Sequence, residues 1–399
     1  MDGTGWRQRC FRQRYTWLPV AAATTSAVGA NGRRPLGPLI AESIGRCYAS
    51  MPSLFDDTGP WAPDLRRHAS GKTELSITLR RFRELCSIEN LTEQNSVPAV
   101  AVRDGSPRLP ADVTRVAAAL FRLAARYVEW LLRDVVPSAT MALPPPYRGA
   151  NAAERHHHQG HNDNGFSTTS DVNRDDATAA LLIADVPSWL DAESVLRLWL
   201  YDAAPVSCGE EPCRGHYDPG LCTALLPGSR PGLEINPTST ADTAFSSRAA
   251  VDGSGINDAR NDGGGDWMAI SEVIHHAACT DGDNDHERPS ATAAATAWRR
   301  HYRPPHDPVA GVLLFNDTLT QVLTGGAAGH LFHRVVSPTR AIGTPSDDHC
   351  NPPPLPPRFN LVVELRPPKA TKAAWYAFTP TPDESASVKA LAGTGNGST

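Results

Sequence analysis

Several absences narrow what this chain can be. No apolar run approaches the roughly 20 residues that a membrane-spanning helix requires. No cationic excess is present either. The 38 Lys and Arg residues face 43 Asp and Glu, for a net charge of −5, so there is no electrostatic footprint for nucleic acid or for an anionic membrane surface. The 8 cysteines lie scattered at 10, 47, 86, 208, 213, 222, 279 and 350 with no CxxC pair and no compact framework, and read as reduced thiols of an intracellular protein. Between Asp2 and Glu42 there is no acidic residue at all, while Arg7, Arg9, Arg12, Arg14, Arg33 and Arg34 fall there among Ser and Thr. The apolar piece "WLPVAAA" is too short, and too broken by Pro19, for a secretory core. Residues 1–50 are therefore expected to be a disordered or transit-like extension. The expected location is the cytoplasm, with a mitochondrial or other organellar address through the Arg-rich N-terminus as the alternative.

What is present divides into two parts. Residues 51–195 read as a helical region. Its strongest segment is 111–136, where Val113, Val116, Leu120, Leu123, Tyr127, Trp130 and Leu131 recur at helical spacing between Pro110 and Pro137. A shorter helix is expected over "ELSITLRRFRELCSI", and the His- and Asn-rich stretch after residue 150 lacks apolar periodicity. From residue 196 the pattern changes to short β-type runs: "LRLWLY", "LCTALL", "GLEIN", "DWMAI", "AGVLLFN", "TLTQVL", "HLFHRVV" and "RFNLVVELR". A mostly β fold with α elements, a sandwich or barrel, follows. Polar inserts at 237–262, 275–307 and 341–357 interrupt it, and 369–399 reads as a C-terminal tail. Two inserts carry spaced acids, but neither supplies the Gly and Glu that a calcium-binding EF-hand loop requires at its sixth and twelfth positions. The cluster His156, His157, His158 and His161 is read as adventitious rather than as a metal store.

One short stretch concentrates chemistry. In "RGHYDPGLCTALL", His216 and Asp218 stand two residues apart before an apolar run, and positions i and i+2 of a strand share a face. An imidazole and a carboxylate side by side can grip a divalent metal; the alternative is a surface turn that merely contains both. A third ligand is needed, and His333 in "HLFHRVV" supplies it. His330, three residues earlier, falls on the opposite strand face. Two imidazoles and one carboxylate match the facial triad of non-haem Fe(II) oxygenases.

These pieces carry a family resemblance. From 196 to 368 the chain resembles the 2-oxoglutarate- and Fe(II)-dependent dioxygenases, in particular the isopenicillin N synthase-like group. The HxD is His216-Tyr217-Asp218, followed by "PGLCTALL" and "GLEI"; "NDTLTQVLTGGAAGHLFHRV" leads to His333, "RFNLVVEL" closes the domain, and "LRLWLY" precedes it with Tyr201. The inserts 237–262 and 275–307 account for about half of the separation between Asp218 and His333, and without them the spacing is one that compact members use.

The resemblance implies a double-stranded β-helix, or jelly roll, preceded by helices, with Fe(II), 2-oxoglutarate as cosubstrate, O2, and ascorbate as an optional reductant. It implies hydroxylation or desaturation of a small organic substrate with release of succinate and CO2. The chain is expected to be a monomer whose partner is that small molecule. His216, Asp218 and His333 would be both the catalytic residues and the metal ligands. Arg358, directly before the last β run, would bind the distal carboxylate of 2-oxoglutarate, since a guanidinium forks onto a carboxylate and stays charged. Arg340 is the competing cation. Asn360 stands in place of the family's serine, Tyr201 would touch the cosubstrate, and Trp199 and Asn316 also depart from the family pattern. A non-catalytic relative acting as a binding or scaffold module stands as the alternative, and a zinc-dependent hydrolase as a third reading.

Overall fold

Period-two alternation in the short apolar runs builds two antiparallel sheets. The computed structural model describes residues 5–19, 36–94, 107–144, 179–201, 213–229, 232–236, 267–270, 311–336 and 357–393. Helix α1 (Gly5–Gln13) leads into strand β1 (Tyr15–Pro19), and α2 (Leu36–Ser50) follows. Strands β2 (Leu65–Arg67) and β3 (Lys72–Thr78) precede α3 (Leu79–Gln94) and the long α4 (Ala111–Trp130). Next come β4 (Val195–Tyr201), β5 (Cys213–His216), β6 (Cys222–Leu226), β7 (Leu233–Asn236), β8 (Met268–Ala269) and β9 (Gly311–Asn316). Helix α5 (Thr318–Leu323) joins β9 to β10 (Phe332–Val335), and β11 (Arg358–Leu365) is followed by α6 (Lys369–Tyr376) and α7 (Pro382–Gly393).

The larger sheet has the order β1-β9-β6-β11-β4-β3-β2, and the smaller one β5-β10-β7-β8. Each face of the larger sheet buries a different core. One face packs on the helices, with α4 contributing Val113, Val116, Leu120, Phe121 and Val128 against Leu196, Leu198, Ala224, Leu361 and Val363. The other face meets the smaller sheet, where Trp17, Tyr201, Leu225, Leu313 and Phe315 share a cluster with Leu233, Ile235 and Val335. This second, smaller core positions the site. Among the described residues no helix is long and apolar enough to cross a membrane.

The structure corrects four sequence expectations. Residues 5–19 are not a disordered or transit-like extension: α1 buries Cys10 and Phe11, and β1 pairs with β9 from Tyr15↔Phe315 to Pro19↔Gly311. Residues 36–50 likewise form α2, which packs on α4. The expected helix over 74–88 is a strand through Thr78 and a helix only from Leu79. The alternation of Leu75 and Ile77 with Glu74, Ser76 and Thr78 has the strand period, and the whole of β3 pairs with β4. "TLTQVL" is helical rather than extended, because Asp317 turns the backbone and Thr318 and Leu319 donate their N–H groups to Asp218 and Gly220 carbonyls. The segment read as a C-terminal tail carries α6 and α7, and α7 occupies the part beyond about residue 381 that was expected to be unstructured. Trp375 is fully buried and donates to the Ala139 carbonyl at 2.8 Å, and Glu384 accepts from Ser138 and Thr381. The long expected helix is α-helical to Trp130 and ends in a π-type turn, Leu131–Val135. The His-rich cluster, Arg340 and nearly all of the three inserts lie outside the described residues.

Candidate metal centre

Strand register brings the two distant histidines together. His333 on β10 is the partner of His216 on β5, and a register shift between His333 and Val335 marks a bulge beside them. Their rings lie 4.3 Å apart between centroids. Asp218, just beyond β5, completes the group. Its Oδ1 lies 3.4 Å from His216 Nε2 and its Oδ2 lies 3.8 Å from His333 Nε2. One donor atom from each residue falls within 4.8 Å of the others, and among the described residues this is the one such cluster.

Hydrogen bonding fixes which nitrogen each imidazole presents. His216 Nδ1 lies 2.9 Å from the Arg214 carbonyl and His333 Nδ1 lies 3.3 Å from the Leu331 carbonyl. A carbonyl only accepts, so each Nδ1 carries a hydrogen and Nε2 is the atom each ring turns toward Asp218, on His216 as a proton donor until a metal displaces that proton. Burial, reinforced by His216, pushes the His333 pKa down to about 4, so this ring is neutral. His216 is raised well above its ordinary value: burial opposes the charge, but the contacts with Asp218 and Cys213 outweigh it. Burial likewise opposes ionisation of Asp218, and the neighbouring His333, His216 and Arg197 hold its carboxyl far below the usual range. An ionised carboxylate and two Nε2 donors form a set suited to a borderline divalent transition metal. His330 lies before β10, is not part of this cluster, and stacks on Tyr217 with centroids 3.7 Å apart.

The last long strand places a second group on the same side of the larger sheet. Arg358 faces Tyr201 and Asn360 faces Trp199 in the β11–β4 register. On the same face, Val362 packs against the inter-sheet cluster and Glu364 is the register partner of Thr223, which touches Asp218. Arg358 and Asn360 are both buried, and the Arg358 guanidinium sits 5.2 Å from the centre of the Tyr201 ring. Burial raises the Tyr201 pKa, so its hydroxyl stays protonated. Gly228 permits this packing: a Cβ there would sit 2.2 Å from Asn360 Oδ1 and 2.4 Å from Arg358 Nε.

Other residues of the site escaped the sequence reading. Thr223 donates from inside the run "LCTALL", and Asp317 stands behind it. Phe315 packs on His333 with centroids 5.0 Å apart. Cys213 approaches His216 Nδ1 and Lys72 Nζ, each at 3.8 Å, and Lys72 lies 4.5 Å from the centre of the Trp199 ring. A polar Thr at an inward position of a buried strand was the available signal for Thr223. Nothing local to Lys72 announced that β3 would run beside β4.

No known family profile matches the chain, and no curated relative matches it. Solved structures do. A putative oxygenase from Shewanella oneidensis aligns at 11% identity with a TM-score of 0.42, over 92% of this chain and 86% of that one. A full-length Neurospora crassa protein in complex with alpha-KG and thymine aligns at 11% identity and a TM-score of 0.37, over 98% and 91%. The 2-oxoglutarate complex of the Arabidopsis thaliana dioxygenase for auxin oxidation 1 aligns at 11% and 0.36, over 96% and 92%.

Proposed function

We propose that this chain is an Fe(II)- and 2-oxoglutarate-dependent dioxygenase of the isopenicillin N synthase-like kind, with a double-stranded β-helix core, oxidising a small organic substrate. The observation that carries the reading is the convergence of His216, Asp218 and His333, with both Nε2 atoms and an ionised carboxylate turned toward one point. Three donors on one side leave the other coordination positions of a metal open. Bound there, Fe(II) would supply the activation of oxygen, coupled to conversion of 2-oxoglutarate to succinate and CO2.

The chain's own residues would do the rest. His216 and His333 bind through Nε2, and the carbonyls of Arg214 and Leu331 hold their tautomers. Arg358 offers a buried forked donor for the distal carboxylate of 2-oxoglutarate, with Asn360 beside it on the strand face and Tyr201 beneath the guanidinium. Phe315, Leu313 and Trp17 keep the interior between the sheets apolar and exclude water from it. The apolar interior supports a small organic substrate.

Succinate release tests the reading. With Fe(II), 2-oxoglutarate and air, the purified chain is expected to form succinate even without added substrate, at a low uncoupled rate, and the His333→Ala variant to form none. Equal succinate from both proteins would overturn the assignment.

A further inference from the structure

Between Asp218 and the core lies a hydroxyl that contacts two carboxylates at once. Thr223 Oγ1 is 3.0 Å from Asp218 Oδ2 and 3.0 Å from Asp317 Oδ2. Thr223 and Asp317 are 0% and 1% exposed, so water does not mediate. A threonine hydroxyl carries one hydrogen and can donate to only one of the two oxygens. The other contact requires a hydrogen from the carboxyl side, because two bare carboxylate oxygens and one donor leave an acceptor facing an acceptor. A carboxylate that binds a metal must be deprotonated, so with Asp218 as the ligand the hydrogen resides on Asp317.

The surroundings of Asp317 agree. It occupies the N-cap of α5, where an aspartate normally accepts a helix N–H, yet its side chain makes no capping bond. Its Oδ1 is buried with no hydrogen-bond partner among the described residues. Burial, followed by the charges of Asp218 and Glu364, raises its pKa well above the usual range. Gly220 admits the close approach: a Cβ there would lie 2.7 Å from Asp317 Oδ2. Nothing in the helix therefore explains this aspartate, and the contact with Thr223 does.

We infer that Asp317 and Thr223 are positioning residues, a neutral carboxylic acid donating to a hydroxyl that in turn donates to Asp218 and fixes its carboxylate for metal binding. The inference rests on the reading of His216, Asp218 and His333 as metal ligands. Outer hydrogen-bond partners of this kind are typically worth about 10- to 100-fold in metal affinity.

Co(II) titration of the full chain, read by its visible absorption band, tests the inference apart from turnover. Thr223→Val, which keeps the shape and removes the hydroxyl, is expected to weaken Co(II) binding by about 10- to 100-fold and to alter the band. Thr223→Ser restores the donor and is expected to bind near the wild-type value. Asp317→Asn still offers a neutral N–H donor and is expected to retain affinity, whereas Asp317→Leu falls with Thr223→Val. Should Thr223→Val fail to fold by circular dichroism, Thr223→Ala against Thr223→Ser makes the same comparison. Wild-type affinity and an unchanged band in a folded Thr223→Val would overturn the inference. So would loss in Asp317→Asn as large as in Asp317→Leu, which would show that a charged carboxylate is needed. His216→Ala is the separate control: if it binds Co(II) as the wild type does, the metal site itself is misassigned.

Discussion

His216 and His333 are register partners across two short antiparallel strands, and their rings approach to 4.3 Å between centroids. Backbone pairing, not loop conformation, therefore sets the separation of two of the three donors. Their positions survive removal of either imidazole. His216→Ala or Asp218→Ala is accordingly expected to abolish metal uptake and turnover while leaving the melting temperature close to that of the metal-free wild type. Metal analysis after desalting, with a thermal melt, checks this; unchanged metal content in either variant would sink the assignment.

Arg358→Ala is expected to raise the concentration of 2-oxoglutarate needed for half-maximal succinate release without lowering metal content. Truncating one partner of a buried, hydrogen-bonded charge pair costs about 2–5 kcal/mol, or roughly thirtyfold to several thousandfold in affinity. Gly228→Ala should move the same parameter in the same direction, because its added methyl would displace the Arg358 and Asn360 side chains. If 2-oxoglutarate dependence is unaltered in both, the cosubstrate lies elsewhere.

The lower part of the stability–pH curve reports on Asp317. Its folded-state pKa is raised above the roughly 3.9 of an unfolded aspartate, so above that pH the folded state holds a proton that the unfolded state has released. Stability then falls as pH rises through this window, toward the folded-state value. Asp317→Asn removes the linkage. The metal-free variant is expected to gain stability over wild type from pH 5 toward neutrality and to match it below about pH 4. Denaturant melts at several pH values check this, and parallel curves for the two proteins would show that Asp317 does not carry the proton.

Thiol reactivity should separate the described cysteines. Burial raises Cys10, Cys47 and Cys222, whereas Cys213 is lowered despite burial, through its contacts with His216 and the charge of Lys72. The thiolate is the nucleophile. At pH 7, brief iodoacetamide treatment followed by peptide mapping is expected to modify Cys213 before Cys10, Cys47, Cys86 and Cys222, and saturating metal is expected to slow it. Equal labelling of Cys213 and Cys10 would contradict the arrangement.

Asn316 shows where sequence reading stopped short. In "NDTL" it reads only as a departure from the family pattern. In the fold it accepts from the Tyr127 hydroxyl at 2.6 Å and donates to the Cys10 and Gly329 carbonyls. It therefore joins α4, α1 and the approach to β10. Two of these partners are hundreds of residues away, and no local periodicity reveals them. Asn316→Gly is expected to cost about 1–3 kcal/mol for each buried partner left unmet, measured by urea unfolding. The grouping of His216, Asp218 and His333, by contrast, was legible in residue type and spacing, whereas Arg358 and Tyr201 were named through the family resemblance. Short apolar runs between turn residues also placed β4, β6, β7, β9 and β11. Composition misassigned residues 5–19 and a helix reading misassigned 74–78; the strands there, β1 and β3, are held by partners distant in sequence.

The pairing of β1 with β9 has a kinetic consequence. Cys10 and Leu314, in contact across this part of the fold, are 304 residues apart in sequence. During synthesis β1 leaves the ribosome well before β9, with the aromatic surface of Trp17 and an open row of backbone donors, and waits for that partner. Contacts of such span slow folding, and unpaired edges held open for that time invite association between nascent chains. Recombinant yield should then depend on translation speed and chaperone supply. The strand at one edge of the larger sheet is made long before the partner that holds it.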